Sequence, residues 1–389
     1  MKHTFASPSI QKLGPVYLDC NATAPMEPAV RDALVRWLTE EIGNAGSRTH
    51  EYGLRAKRAI QVARERVAAV VDAKVDEVLF TSGATESNNI AILGLAPYGK
   101  DAGRRHIVST AIEHKAVLEP LEELERRGFE VTLVKPDPSG AVNAAVIRDT
   151  LRPDTLLVSV MHANNETGVL QPITEIAELL ADHDAYLHVD AAQGYGKELA
   201  SLRLKRIDLI SVSSHKIYGP VGIGALIARR RSFKKPPLVP LAFGGGQERG
   251  LRPGTLPAPL IIGFGVAAKR ALADHRTRQD RCYEIRRDAL AALAPLTVRF
   301  HGDSDRVLAH VINFSIPGVD SEAVIIALKT VAAVSNGSAC TSQRYSPSHV
   351  LEAMDLPNEA ITGAVRLSWC HMTPEVDWHK ISQLAASLT

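Results

Sequence analysis

An α/β fold with a mostly parallel, seven-stranded sheet is predicted by three features of the 389-residue chain. Short apolar, β-branched runs alternate with helical periodicities from about Val78 to Ala228, and such alternation gives parallel strands covered on both faces. A second, shorter series of strands and helices lies behind a long amphipathic pattern, so a smaller α/β unit should follow the first. Composition agrees with a packed globular chain: 45% of residues are hydrophobic and 23% charged, and the length leaves room for two domains. The expected division is a large domain over 16–262 and a small domain made of 1–15 and 263–389.

Taken in order, Val16–Leu18 reads as a short strand, Pro28–Leu38 as an amphipathic helix opened by proline, and Gly43–Gly53 as a loop. Leu54–Val71, rich in Ala and Arg, is helical. Seven strands are expected at Val78–Thr81, His106–Thr110, Glu130–Lys135, Thr155–His162, Tyr186–Asp190, Leu209–Ser213 and Ile223–Ala228. Helices such as Ala116–Arg127 and Ile173–Ala181 fill the gaps. Ile262–Leu293 reads as one long helix. Beyond it come Val307–Ser315, a helix at Ser321–Lys329, a Ser/Gly-rich loop at Val334–Ser342, Ala364–Ser368 and a last helix at Trp378–Leu388.

A net charge of +2 supplies no global field toward nucleic acid or membrane. No apolar leader and no run of 18 apolar residues is present in the sequence, so a cytoplasmic enzyme is expected. Cys20, Cys282, Cys340 and Cys370 form no CxxC pair, which leaves no support for a zinc or thioredoxin-like site. Cys282 suits a small buried residue. Cys340 does not: it lies among Ser335, Asn336, Gly337, Ser338, Ala339 and Thr341, a composition of exposed, mobile loops. The basic run Arg229–Lys235 reads as a solvated loop, with docking of a partner as the alternative.

Ligands of parallel α/β sheets bind beyond the carboxyl ends of the strands, and there the polar residues gather. Lys216 follows the Leu209–Ser213 strand. An ammonium beside a core is costly, and the same cost can make its amine nucleophilic; alone it could equally turn into solvent. Thr81–Glu86 offers small residues and amides at a helix start, an anion site or an ordinary turn. His114 could stack on a flat ring, act as acid or base, or simply open a helix. Asn164, Asn165 and Glu166 close another strand. Asp190 ends the next, either as a turn cap or as the partner of a cation. Together they fit pyridoxal phosphate (PLP), which needs a Schiff-base lysine, a carboxylate opposite its ring nitrogen and an anion site for its phosphate.

The motifs FTSGATESNN, EHKAV, MHANNETG, HVDAAQ, SSHKIYGP, GGGQERGLRPGT, SNGSACTS and VRLSW resemble those of the aminotransferase class V cysteine desulfurases over Val16–Thr373. SNGSACTS is similar to the branch that feeds iron–sulfur assembly and RNA thiolation. The resemblance implies a PLP-dependent transferase of fold type I that converts L-cysteine to L-alanine and passes the sulfur to an acceptor protein, for cluster assembly or for tRNA or DNA thiolation. It also implies a homodimer, without direct contact to nucleic acid or membrane.

By the same resemblance Lys216 is the Schiff-base lysine, Asp190 the pyridinium partner and His114 the stacking and catalytic group. Asn165 and Gln193 lie near the ring oxygen. Ala84, Thr85, Ser213 and His215 hold the phosphate, with Thr255 reaching in from a second subunit. Arg366 holds the substrate carboxylate, aided by Asn165, and Cys340 accepts the sulfur. Three positions depart from the family pattern: Cys20, Pro253 in the Arg252–Thr255 loop, and Trp369-Cys370, the last suggesting an altered substrate pocket. Selenocysteine lyase, cysteine C–S lyase and an idle sulfur-relay scaffold are the alternatives; Cys340 argues against the lyases, and intact Lys216 and Asp190 against the scaffold. The short segment after Arg366 suggests an acceptor other than a cluster scaffold, docking through Arg229–Lys235.

Overall fold

The computed structural model of the protein describes residues 14–337 and 347–389. Its first strand is β1 (Val16–Tyr17). The seven expected strands follow as β2 (Val78–Thr81), β3 (His106–Thr110), β4 (Glu130–Val134), β5 (Thr155–Met161), β6 (Tyr186–Asp190), β7 (Leu209–Ser213) and β8 (Gly224–Ala228). They form one sheet in the order β2-β8-β7-β6-β5-β3-β4. Strand β8 runs antiparallel to both neighbours; the other pairs are parallel. Residues of β5 and β7 are buried throughout, which is why these strands read as continuous apolar runs rather than as alternations. After β4 the chain returns to the other side of β3, so the order reverses between β3 and β5. A crevice opens at such a reversal.

The expected helix Ile262–Leu293 is two helices, Ala258–Ala273 and His275–Leu293. Asp274 leaves the helical conformation with ψ 12° and its carboxylate meets Arg270 at 2.9 Å. Periodicity missed the break because the apolar face continues across it. The first helix packs on Pro28–Thr39 and Glu51–Val70. A Cβ at Gly265 would come within 2.6 Å of the Ala63 Cα, so the two backbones approach as closely as glycine permits.

The second helix turns its buried side to a smaller sheet. There β9 (Arg299–Phe300), β10 (Val311–Ser315) and β12 (Val365–Ser368) pair antiparallel in the order β12-β10-β9. The short β11 (Ala332–Ala333) pairs with β1. Leu18, Cys282, Phe314, Trp369 and Ile381 share the core of this region. The amino-terminal strand therefore packs with the carboxyl-terminal unit, and the segment that follows it bridges the two.

The basic run needs correction, because a row of arginines looks the same in sequence whether it is solvated or anchored. Arg229 is buried, and its guanidinium donates to the carbonyls of Leu202, Leu204 and Val71. Arg230 pairs with Asp76. Arg231 pairs with Asp208 at 2.8 Å and lies over the Tyr186 ring. Only the tip from Ser232 to Lys235 is exposed. Three of the five basic side chains thus tie the end of β8 to the rest of the domain and are not available as a docking patch.

Candidate active site

A cavity of ≈ 460 Å³ opens at the carboxyl ends of the strands. Ala84, Thr85, His114, Asn165, Asp190, Gln193, Ser213, His215, Lys216 and Arg366 all line it. The sequence reading thus converges on one place. Two of its members do not join them. Thr255 lines a separate cleft with Arg64 and Gln247. Cys340 lies outside the described residues.

Lys216 sits in a single helical turn, Ser214–Ile217, directly after β7. That turn ends at Tyr218 in the left-handed region, φ 68°, a conformation costly for a bulky residue and kept only where packing demands it. The Lys216 ammonium donates to the carbonyls of Asn21 and Ala22. Those carbonyls belong to the segment after β1, so the amino-terminal stretch forms one wall of the cavity.

Asp190 closes β6 and is 6% exposed. Its oxygens accept from the Asn88 side chain at 2.7 Å and the Ala192 amide at 2.9 Å. Among the described residues it makes no ion pair. A buried carboxylate held only by amides is poised for a cation, and a protonated pyridine nitrogen meets that need. Nearby, Oδ1 of Asn21, Oδ1 of Asn88 and Oε1 of Gln193 are buried without hydrogen-bond partners among the described residues. Such orphaned acceptors belong to sites completed by a ligand.

His114 caps the helix Lys115–Arg126, its Nδ1 accepting from the Ala116 amide at 3.0 Å. The neutral tautomer therefore carries its proton on Nε2. Burial lowers its pKa, so the neutral form prevails at neutral pH. Burial likewise lowers His215 to about 4, leaving it a neutral hydrogen-bonding group. Beneath His114, Glu113 is fully buried and burial raises its carboxyl to about 8. One oxygen accepts from Thr110 and the Met161 amide while the other has no partner among the described residues.

The anion cradle lies where Gly83 leads into the helix Ala84–Leu93. The first turn leaves amides unbonded, and the helix dipole favours a negative group there. A Cβ at Gly224 would lie 2.7 Å from the Gly83 Cα; glycine in β8 lets this loop press against the strand. Glu86 turns back to the Ser82 amide and pairs with Arg252 at 3.0 Å, which fixes the rim.

Arg366 on β12 is 1% exposed. It pairs with Asp19 at 2.6 Å and donates to the Asn165 carbonyl at 2.9 Å, while its Nε has no partner among the described residues. Asp19, Asn21, Ala22 and Asn88 belong to the site without being marked by the sequence patterns, whereas Ser82 lies in the expected Thr81–Glu86 turn. Asp19, Asn21 and Ala22 share the run LDCNAT, Leu18–Thr23, which reads as polar turn residues until β1 is seen pairing with the far end of the chain.

The departures from the family pattern fall outside the cavity wall. Trp369 is buried in the small core, its Nε1 donating to the Cys282 carbonyl at 3.0 Å. The expectation that it reshapes the substrate pocket is not met, because strand alternation turns Trp369 away from the face that carries Arg366. Cys20 and Cys370 are buried together against Tyr218.

Known proteins place this geometry. The sequence model of the Aminotransferase class-V family matches residues 16–379. Cysteine desulfurase IscS of Vibrio cholerae is 43% identical over 366 residues, 93% of this chain and 90% of that protein. Among solved structures, DndA from Streptomyces lividans is 53% identical with a TM-score of 0.80, covering 91% of this chain and 99% of the other. A NifS-like protein superposes with a TM-score of 0.88 at 32% identity over 96% of this chain and all of its own. SspA in complex with cysteine gives 35% identity and a TM-score of 0.78, over 91% of this chain and 98% of the other. With Lys216, Asp190 and the amide cradle on one strand-end cavity, this chain belongs to the PLP-dependent aminotransferase class-V family.

Proposed function

We propose that the protein is a PLP-dependent cysteine desulfurase that takes sulfur from L-cysteine, releases L-alanine and hands the sulfur on from Cys340. The observation that carries this is the single cavity shared by Lys216, Asp190, His114 and Arg366. When bound, PLP supplies an electron sink for negative charge developing at the substrate α carbon.

The residues divide the remaining work. Lys216 would hold the cofactor, and its amine would move the α proton. Asp190 keeps a proton on the ring nitrogen, because a buried carboxylate is stabilised by a cation beside it. Thr85, Ser213, His215 and the amides of the Ala84 turn hold the phosphate. Asn165 and Gln193 donate or accept at the ring oxygen, and His114, neutral with its proton on Nε2, can give that proton to the reacting atoms. Arg366 orients the substrate carboxylate, which must share the guanidinium with Asp19. The Cys340 thiolate attacks the substrate sulfur: an S–S bond forms, the C–S bond breaks, and its electron pair stays on carbon to be protonated as alanine.

A homodimer with Thr255 serving the partner's phosphate site is part of this reading. It is supported by Thr255's distance from the cavity of its own protomer and by its Gly-rich loop. The reading also divides the chain into a large domain over 16–262 and a small domain of 1–15 and 263–389, with the two residues of β1 pairing with β11 of the small one.

The test is to incubate the PLP-loaded protein with L-cysteine and follow alanine and protein-bound sulfur by chromatography and mass spectrometry. Alanine should appear with one persulfide per chain, on Cys340. Cys340→Ser should retain the cofactor and form no persulfide. A persulfide on Cys20, Cys282 or Cys370 in its place, or alanine production that persists unchanged in Lys216→Ala, would refute the assignment.

A further inference from the structure

A second cavity, of ≈ 240 Å³, lies between the segment after β6 and the helix His275–Leu293. A cavity of about 150 Å³ already admits a benzene ring, so this one is large enough for a small organic molecule. Its wall is partly apolar, with Leu170, Leu308 and the Tyr218 ring, and Cys282 also faces it. It also carries two cations, Arg278 and Lys197, that are only partly paired among the described residues.

Arg278 is 7% exposed and reaches this wall from the helix His275–Leu293. Its Nη2 pairs with Glu27 at 2.6 Å. Neither its Nε nor its Nη1 finds a hydrogen-bond partner among the described residues. Lys197, on the same wall, donates from Nζ to His310 Nε2 at 3.0 Å. That imidazole is buried and kept neutral, its pKa well below the ordinary value, so it satisfies a hydrogen bond without balancing the charge. Glu198 and Asp305 also border the cavity, yet neither makes an ion pair with Lys197 or Arg278 among the described residues. Asp305 is exposed, and Glu198 accepts from the Ala200 amide.

A buried guanidinium with idle donors costs stability unless something completes it. We propose that this cavity is a binding site for a small organic carboxylate, held by Lys197 and Arg278 with its carbon skeleton against Tyr218 and Leu308. A carboxylate matches both parts of the wall, since it unites an anionic head with an apolar body. An inorganic oxyanion would leave the apolar half unfilled. The occupant would touch Tyr218, two residues past Lys216, while staying outside the strand-end cavity.

The experiment is isothermal titration of the full-length PLP-loaded protein with propionate and with benzoate, using sulfate as the control anion. At least one carboxylate should bind saturably and more tightly than sulfate. Lys197→Met should weaken it by at least tenfold, and so should the paired variant Glu27→Gln/Arg278→Met, which neutralises Glu27 together with the cation closest to it. Arg366→Met, at the other cavity, should leave the affinity within twofold. Carboxylate binding lost in Arg366→Met but kept in Lys197→Met would place the ligand in the strand-end cavity and overturn the proposal. Sulfate binding more tightly than both carboxylates would overturn the ligand class, and absence of any saturable binding would overturn the site.

Discussion

Lys216 and Lys197 are both drawn in from solvent, and they are held in opposite ways. Lys216 stands at the end of a strand, its ammonium on the carbonyls of Asn21 and Ala22, in a cavity that also contains the carboxylate of Asp190. Lys197 stands in the connection after β6, facing neutral His310, and burial brings its pKa down to about 8. Position relative to the sheet separates the two. A strand end places a side chain in the crevice where ligands of this architecture bind, whereas a connection places it wherever neighbouring elements happen to meet. The first lysine is thus tied to the family's chemistry, and the second to the packing of this chain's connection after β6 against the helix His275–Leu293.

The comparison breaks most sharply at Lys216. Lys216→Ala should reduce cysteine turnover by about 10⁴-fold or more, the scale of deleting a principal catalytic group. Lys197→Met should leave turnover within a few-fold, as measured by alanine release. Comparable losses in both variants would erase the distinction.

Asp190→Asn removes the charge and leaves the shape. Turnover should fall by about 100-fold, the order lost when one group facing developing charge is neutralised. The visible absorbance of the bound cofactor should shift with it, because the ring nitrogen would lose its proton. An unchanged spectrum would mean that the ring does not face Asp190.

The two regions should also respond differently to pH. Glu113 has its carboxyl raised from 4.5 to about 8. Between those values the unfolded chain has released a proton that the folded chain keeps. Stability contributed at this position therefore falls as pH rises from about 4.5 to about 8. Glu113→Gln should flatten that slope and stabilise the protein by on the order of 2 kcal/mol at pH 8, with little change at pH 5, as read by urea unfolding.

Lys197 has the opposite sign. Its pKa is lowered from 10.5 to about 8, so between these values the unfolded chain binds the extra proton and stability rises with pH. Lys197→Met should stabilise the protein by about 1–2 kcal/mol at pH 7, with the gain shrinking above pH 8. A gain from deleting a residue is expected where a charge is kept for binding rather than for folding. Destabilisation at pH 7 would assign Lys197 a purely structural role.

The amino-acid sequence by itself determined the seven strands, their alternation with helices, and the polar residues at their ends. These are local properties: β-branched apolar runs, turn residues and motifs such as HVDAAQ and SSHKIYGP carry them within a few positions. Nine of the residues named from those patterns meet in one cavity because the sheet delivers the carboxyl ends of its parallel strands to the same edge, and Arg366 joins them from β12 of the smaller sheet. Only the tertiary structure decided the rest. The Asp274 break lies beneath an uninterrupted apolar periodicity. Arg229, Arg230 and Arg231 became anchors because Asp76, Asp208 and several backbone carbonyls come to them from distant segments. The wall formed by Asn21 and Ala22, and the pairing of Asp19 with Arg366, depend on β1 joining the carboxyl-terminal unit. The second cavity exists only because the helix His275–Leu293 and residues 305–310 meet the connection after β6. Spacing along a chain records the contacts of a strand or a helix; contacts between residues hundreds of positions apart are set by how the layers pack.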